Sequence, residues 1–310
     1  MMTIRFRSRQ PQRGFTLVEA IVVMVLTGIL AGVMVLFIRQ PVQNYVDAAG
    51  RADMSDVADL ALRRMSRELH GALPNSIRVA TIGTVTLLEF IPTKSGSTYL
   101  AAEDDAGTPY LDFVAQTPAP ALGNAYYNFK VVGPAPTAPY TIAANDYVVV
   151  YNLGPGFARA DAYSNTAGAM NRAQISAVNV VAGSTVVTMN GNPFAVAAGQ
   201  VPNTSPTHRF NVVTQPVTFR CALNNGVGEL KRYWNYSSVN FTFQDNQVDP
   251  ETLGTKSSAL LASYVTNCNF SYLSPANLQH GIVGLGLTLG RANSAESVTL
   301  SKQVTVDNTP

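Results

Sequence analysis

The sequence predicts an α+β protein in which one long N-terminal helix precedes an antiparallel, β-rich globular head. Three observations predict this class. A long apolar segment lies near the amino terminus, and most of the chain after residue 73 alternates with a period of two or is rich in turn-forming residues. The charged fraction is only 13%, with abundant Ala, Thr, Ser, Asn and Val, which is typical of a β-rich exported domain.

The apolar segment runs from Ala20 to Ile38 and contains no charged residue. Together with Phe15–Glu19 it is long enough, at about 1.5 Å per residue, to cross a bilayer core of about 30 Å as a helix. We therefore predict a membrane span over residues 15–38. Glu19 is unusual at its start, because a carboxylate in lipid is costly and is usually retained for a function.

The residues before the span form a basic leader, residues 1–14. It contains Arg5, Arg7, Arg9 and Arg13 and no acid, so the positive-inside rule predicts a cytoplasmic amino terminus and a head on the other side of the membrane. Without these arginines the formal charge changes from +2 to about −2, which leaves no basic surface for nucleic acid. A secretory signal peptide would carry an A-x-A cleavage site after the apolar segment, and none follows it here.

Residues Gly14-Phe15-Thr16-Leu17-Val18-Glu19, after a short basic leader, resemble the processing site of type IV prepilins and of type II secretion pseudopilins. The resemblance implies that a prepilin peptidase cleaves after Gly14 and methylates the new amino terminus, Phe15. It also implies that Glu19 attracts the positively charged amino terminus of a neighbouring subunit during filament assembly. An ordinary signal anchor, in which Glu19 only reaches the membrane interface, is the alternative.

After the span, residues 39–72 are predicted to continue the helix as an amphipathic segment, with a kink at Pro41 and an end at Gly71 and Pro74. Acidic side chains precede basic ones along it, which favours a solvated face or a contact with the next subunit. Its apolar positions recur at spacings of three and four, and they are Val42, Tyr45, Val46, Ala49, Val57, Leu60, Ala61, Leu62, Met65 and Leu69.

The head is predicted to span residues 73–310. Residues 92–145 are rich in Pro, Ala, Gly and Thr and are predicted to form a loop-rich insertion. The predicted strands are Ser76–Ala80, Val85–Phe90, Leu111–Val114, Tyr126–Val132, Asp146–Leu153, Gln174–Val181, Thr185–Asn190, Pro216–Leu223, Glu229–Tyr236, Val239–Phe243, Ala262–Leu273, Gly281–Leu289 and Ser297–Val306.

The two cysteines, Cys221 and Cys268, both follow the span and therefore lie in the oxidising compartment of the predicted topology. We predict one disulfide between them, with two free thiols as the alternative. A metal site is disfavoured because no Cys-x-x-Cys and no clustered histidine accompanies them.

Catalytic chemistry is not predicted. His70, His208 and His280 are isolated, and no nucleophile motif such as Gly-x-Ser-x-Gly is present, so the sequence predicts neither an enzyme nor a cofactor site. The acidic run Asp245–Glu251 has oxygen ligands at loop spacing, but it lacks the EF-hand spacing and its glycine. Calcium binding there is left open, and no metal ligand is assigned.

Four C-terminal segments, 216–221, 229–233, 267–272 and 303–310, are similar to minor pilins of MSHA pili, the MshO type; W-type minor pilins and J-type pseudopilins share the general plan. This resemblance implies a low-abundance subunit that helps to start or cap a pilus. It implies a prepilin peptidase, other minor and major pilins, the inner-membrane assembly platform and inner-membrane lipid as partners, and a periplasmic head. A J-type pseudopilin of type II secretion and a pilus-tip adhesin are the alternatives.

Overall fold

The computed structural model describes residues 14–102, 104, 109–166, 168–236, 248–273, 279–290 and 296–310, apart from the side chain of Leu36. The leader arginines and the predicted strand Val239–Phe243 lie outside these residues. The elements are α1 (Leu17–Leu69), β1 (Arg78–Ile82), β2 (Val85–Phe90), β3 (Thr93–Tyr99), β4 (Asn128–Val132), β5 (Tyr147–Val149), β6 (Arg172–Val181), β7 (Ser184–Met189), β8 (Arg209–Val213), β9 (Val217–Asn224), β10 (Val227–Trp234), β11 (Ser257–Leu273), β12 (His280–Gly290) and β13 (Ser297–Asp307). Short 3₁₀ turns occupy Ala125–Tyr127 and Pro250–Thr252.

Helix α1 is 53 residues long and continues through Pro41. The chain divides into two compact units, residues 1–53 and residues 54–310, so the end of α1 belongs to the second unit. There a stripe of apolar side chains at spacings of three and four packs on a β-sheet. The predicted α+β class, a long helix packed on an antiparallel β-rich head, is confirmed. The stripe consists of Met54, Ala58, Ala61, Leu62, Met65 and Leu69.

Six of the ten residues predicted on the apolar face of α1 are exposed: Val42, Tyr45, Val46 and Ala49 in the first unit, and two in the second. Leu60 is 67% exposed and Val57 is 38% exposed. Leu60 is two residues from both Ala58 and Leu62, which places it about 200° around the helix from each. The spacing of apolar residues placed Val57 and Leu60 on the same face as the buried residues, but the sheet covers a narrower arc of the helix than that spacing suggests.

The sheet on which α1 packs has seven antiparallel strands in the order β1-β2-β9-β10-β11-β12-β13. It is a simple meander apart from the step from β2 to β9, where Phe90 pairs with Val217 across a long excursion of the chain. The strands predicted from Pro216 onward, apart from Val239–Phe243, are therefore present and form a meander, with β11 longer than predicted. The turn between β9 and β10 is Asn225-Gly226, and both residues have positive φ, as a two-residue type I′ hairpin requires.

The excursion between β2 and β9 folds into a closed six-stranded barrel in the order β3-β4-β7-β6-β5-β8. Its strands run from Thr93 to Val213, well beyond the insertion of 92–145 that the sequence predicted. Leu111–Val114 is not a strand and makes only an isolated bridge at Val114, because Asp112 turns the chain by accepting a hydrogen bond from the Val114 N–H (2.8 Å). The polar strand Thr93–Tyr99 was not predicted, since its side chains do not alternate in hydrophobicity.

Cys221 on β9 and Cys268 on β11 are joined by a disulfide, with a Cα–Cα distance of 6.4 Å. These strands are not neighbours in the sheet, because β10 lies between them. Gly228 at the start of β10 packs closely against β9. A Cβ on Gly228 would lie 1.7 Å from the carbonyl oxygen of Ala222, so only glycine fits there.

The barrel meets the sheet at a buried ion pair between β1 and β2. Glu89 is 2% exposed, and its Oε1 accepts hydrogen bonds from Arg78 Nε (2.9 Å) and Nη2 (2.5 Å). Its Oε2 accepts from Thr218 Oγ1 (2.9 Å) and the Tyr236 hydroxyl (2.7 Å). The carboxylate therefore receives four donated hydrogen bonds, which is how a buried charge is stabilised.

The barrel contributes Tyr163 to this junction. The Arg78 guanidinium lies 3.9 Å from the centre of the Tyr163 ring, and the Tyr163 hydroxyl donates to the carbonyl of Ser76 (2.9 Å). Burial raises the pKa of Tyr163 well above its ordinary value, so the hydroxyl remains a donor at neutral pH. A small apolar cluster around Leu73, Ile91 and Val149 surrounds these groups.

We expect Glu89→Gln to lower the free energy of unfolding of the head by about 3 kcal/mol, because it leaves the Arg78 charge without its buried partner. Glu229→Gln is the matched control, since Glu229 is half exposed in a surface pair with Lys231 and is expected to change stability by less than about 0.5 kcal/mol. Urea unfolding followed by the fluorescence of Trp234, the single tryptophan, measures both. Equal losses in the two variants would contradict the role given to Glu89.

We expect the double variant Cys221→Ala/Cys268→Ala to lose about 2–4 kcal/mol, because the bridge closes a loop with a sequence separation of 47 in the unfolded chain. Reduction of the wild-type protein is expected to produce the same loss. Mass spectrometry of unreduced peptides tests the bridge directly, and two alkylatable thiols in protein taken from the cell envelope would contradict it.

Candidate functional site: the N-terminal segment

The segment that resembles a processing site lies where the chain enters α1. Gly14, Phe15 and Thr16 precede the helix, which begins at Leu17. Phe15 is 82% exposed, so the Gly14–Phe15 bond lies in accessible, non-helical chain. A peptide bond in this conformation is suited to a peptidase, which a hydrogen-bonded helical turn is not.

Thr16 is the N-cap of α1. Its Oγ1 accepts a hydrogen bond from the Glu19 backbone N–H (3.3 Å), and its carbonyl accepts from the Ala20 N–H (3.2 Å). The spacing Thr16-x-x-Glu19 is that of a capping box, and an acid in the first turn is favoured by the helix dipole. Glu19 therefore has a defined place in the first turn, four residues after Phe15.

The helix after Glu19 has the character of a membrane span by length and composition. Its most apolar 18-residue window has a mean hydropathy of 2.9, and none of that window is buried in the described residues. Between Leu17 and Ile38 the sequence contains no ionisable side chain other than Glu19. An apolar surface on all sides of a helix requires lipid or other apolar helices around it.

Other residues considered from the sequence are not brought together into a metal site. Among the described residues, no group of three or more His, Cys, Asp or Glu side chains could hold a metal ion. Within the acidic run, Asp245 and its two successors lie outside the described residues, and Asp249 receives two hydrogen bonds from Arg220 (2.6 and 2.9 Å). Burial alone would raise the pKa of Asp249, but these bonds and one from the Glu251 N–H hold it below its ordinary value.

The acidic and basic side chains of the amphipathic half of α1 partly pair along the helix. Asp59 accepts from Arg63 Nε (2.5 Å), and Glu68 accepts from both Arg64 Nε (3.1 Å) and Arg232 Nε (2.7 Å). Arg232 lies on β10, so its bond to Glu68 ties α1 to the sheet. Asp53 and Asp56 are exposed, which agrees with the predicted solvated face.

Sequence reasoning missed two arrangements that the fold creates. The Glu89 ion pair had one visible signal, a lone acid within the apolar strand sequence Val85–Phe90. A pocket on the barrel had no visible signal in the sequence, because its wall combines residues from three separate stretches between Tyr147 and Pro193. Neither arrangement has a spacing that a linear pattern could reveal.

Comparison with known proteins identifies the N-terminal segment. Residues 9–35 match the family model described as the prokaryotic N-terminal methylation motif. No curated protein and no solved structure matches the chain. The match covers the leader end, Gly14–Glu19 and most of the apolar span.

Together with a long N-terminal helix packed on an antiparallel head, the match supports a type IV pilin-like protein. The motif implies processing by a prepilin peptidase, assembly with pilins and membrane anchoring. It indicates a structural subunit. This match does not distinguish between a minor pilin and a pseudopilin.

We expect Gly14→Val to abolish or strongly slow cleavage by a co-expressed prepilin peptidase, because a branched side chain next to the scissile bond obstructs access to it. Gly32→Val is the matched control, since Gly32 lies within α1, away from the cleavage site, and also has open space around it. Intact-mass spectrometry measures removal of residues 1–14. Full-rate cleavage of Gly14→Val would contradict the assignment of the site.

Proposed function

We propose that this chain is a minor pilin of a type IV pilus of the MSHA type, a low-abundance subunit that helps to initiate or cap assembly after cleavage between Gly14 and Phe15. The observation that carries the proposal is the methylation motif at residues 9–35, placed at the start of an apolar helical segment, Leu17–Ile38, in which Glu19 is the single ionisable side chain. In this proposal the amino terminus is cytoplasmic before cleavage and the head is periplasmic.

Glu19 is the proposed assembly residue. Cleavage after Gly14 would create a positively charged amino group on Phe15, and methylation retains that charge. In a low-dielectric membrane or filament core, a carboxylate and an ammonium group from adjacent subunits attract each other far more strongly than in water. The Thr16 cap supports this role, because it holds Glu19 in the first turn of the helix. An acid at this position suits a subunit that has another subunit above it.

The size of the second unit supports low abundance. A compact unit of the length of residues 54–310 has a radius of gyration of about 18 Å, whereas packed helices lie about 8–10 Å apart. Helices carrying such units could not all be close neighbours at the same level of a filament. A few copies at one end avoid this crowding.

The location of the C-terminal similarity supports the MSHA type. Its four segments lie on β9, β10, β11 and β13, all in the seven-stranded sheet that packs on the end of α1. None lies in the barrel. The similarity therefore concerns the part of the head that contacts the helix, and the barrel is an addition that the resemblance leaves unexplained. A J-type pseudopilin shares this plan. Deletion of a J-type pseudopilin is expected to impair secretion, whereas deletion of an MSHA minor pilin is expected to impair pilus formation.

We expect Glu19→Ala protein to be cleaved, to insert in the membrane and to keep a protease-resistant head, but to lose cross-links to partner pilins and to reduce pilus number. Alanine removes the charge that the neighbouring amino terminus would meet, and it lowers the cost of placing the helix in lipid. Glu19→Asp keeps the charge and is the matched control, with partial rescue expected. Cross-linking and pilus counts measure both variants.

Wild-type pilus number and cross-links in the Glu19→Ala strain would remove the assembly role from Glu19. That result would favour the ordinary signal anchor, in which the acid only reaches the interface. Loss of head stability in Glu19→Ala would also contradict the proposal, because the head is expected to fold independently of this residue.

A further inference from the structure

The barrel carries a pocket that the proposed function does not use. It has a volume of about 680 Å³, within the range of about 300–1,000 Å³ that is usual for small-ligand sites. Its lining comes from three parts of the chain: Tyr147 on β5, five residues before or on β6, and Asn190–Pro193 after β7. The five residues are Asn165, Met170, Arg172, Ala173 and Gln174. Several elements thus converge on one concave surface.

One wall of the pocket is held in place by a buried arginine. Arg172 is 3% exposed, and its Nη1 donates to the carbonyls of Ala162 (2.7 Å) and Ser164 (2.6 Å). Its Nη2 donates to Asn165 Oδ1, which places Asn165 on the rim. Arg172 therefore holds the loop from Ala162 to Asn165 in place on one side of the pocket.

The pocket lining also contains a pair of carboxamide residues, Gln174 and Asn190, joined by two hydrogen bonds. The Asn190 N–H donates to the Gln174 carbonyl (2.9 Å), and Asn190 Nδ2 donates to Gln174 Oε1 (3.0 Å). In the part of the chain that the structure describes, Gln174 Nε2 and Asn190 Oδ1 make no hydrogen bond. The pair thus offers one donor and one acceptor in fixed relation, which complements a secondary amide, with its carbonyl and its N–H.

Apolar groups lie beside this pair. Met170, Ala173 and Pro193 line the same pocket, and buried Tyr147 adds an aromatic ring. They suit the methyl group of an acetamide and the C–H face of a sugar ring. A peptide strand is a poorer occupant, because strand addition needs an open sheet edge and the six strands of the barrel close on one another.

We propose that this pocket binds an N-acetylated amino sugar, with its acetamido group on the Gln174–Asn190 pair and its ring hydroxyls toward the rim at Asn165. The head would then have a saccharide-binding function in addition to its place in a filament. This inference requires neither cleavage at Gly14 nor the charge of Glu19.

The test is isothermal titration of the full-length protein in nanodiscs with N-acetylglucosamine, N-acetylgalactosamine, glucose, galactose and the peptide analogue N-acetylalanine methylamide. At least one amino sugar is expected to bind several-fold more tightly than its parent hexose and than the peptide analogue. Gln174→Ala and Asn190→Ala are each expected to weaken that binding by roughly five- to tenfold, the effect of one lost neutral hydrogen bond.

Asn179→Ala is the matched control, because Asn179 is an exposed carboxamide on the same strand, β6, and does not line the pocket. It is expected to leave binding unchanged, and thermal unfolding confirms that all three variants are folded. Absence of amino-sugar binding up to about 10 mM, equal binding of amino sugar and parent hexose, or tighter binding of the peptide analogue would overturn the proposal. Binding that is indifferent to Gln174→Ala and Asn190→Ala would do so as well.

Discussion

The structure depends on a change in the surface of α1 along its length. Up to Ile38 the helix is apolar on every side, and from Met54 it is apolar on one narrow stripe. The first surface can be stable only in lipid or among other apolar helices, and the second only against a sheet. Because both surfaces belong to one helix, a head that folds on its end is linked to a membrane anchor without an intervening loop.

The head combines two β structures, a seven-stranded sheet and a closed barrel. The seven-stranded sheet packs on α1, carries the disulfide and provides Arg232, which donates the hydrogen bond to Glu68. The chain leaves the sheet after β2, forms the barrel and returns to the sheet at β9. Because β2 and β9 are neighbours in the sheet, the barrel does not separate any two paired strands. The buried Arg78–Glu89 pair and Tyr163 lock the two together.

Much of this could be predicted from the sequence, because the relevant signals are local. The apolar span, the site at Gly14–Glu19, the Asn225-Gly226 hairpin and β2 each follow from neighbouring residues. The barrel could not be predicted in the same way. Polar strands such as Thr93–Tyr99 close a barrel through pairing with distant partners, and hydrophobic alternation is weak where a strand has both faces partly covered.

The pocket and the buried ion pair were missed for the same physical reason. Glu89 looks like an exposed strand residue until Arg78, Thr218 and Tyr236 surround it, and these come from three different strands or their ends. Conversely, the pattern along α1 overstated burial at Leu60, since periodicity gives the direction of a face and not the width of the surface that covers it.

The most direct test of the central claim is quantitative mass spectrometry of pili sheared from cells that express the protein at its natural level. The account predicts that the chain copurifies with the filaments in substoichiometric amount, begins at Phe15 and carries a methyl group on that amino terminus. Recovery of the chain only in the membrane fraction, with residues 1–14 still attached, would contradict it.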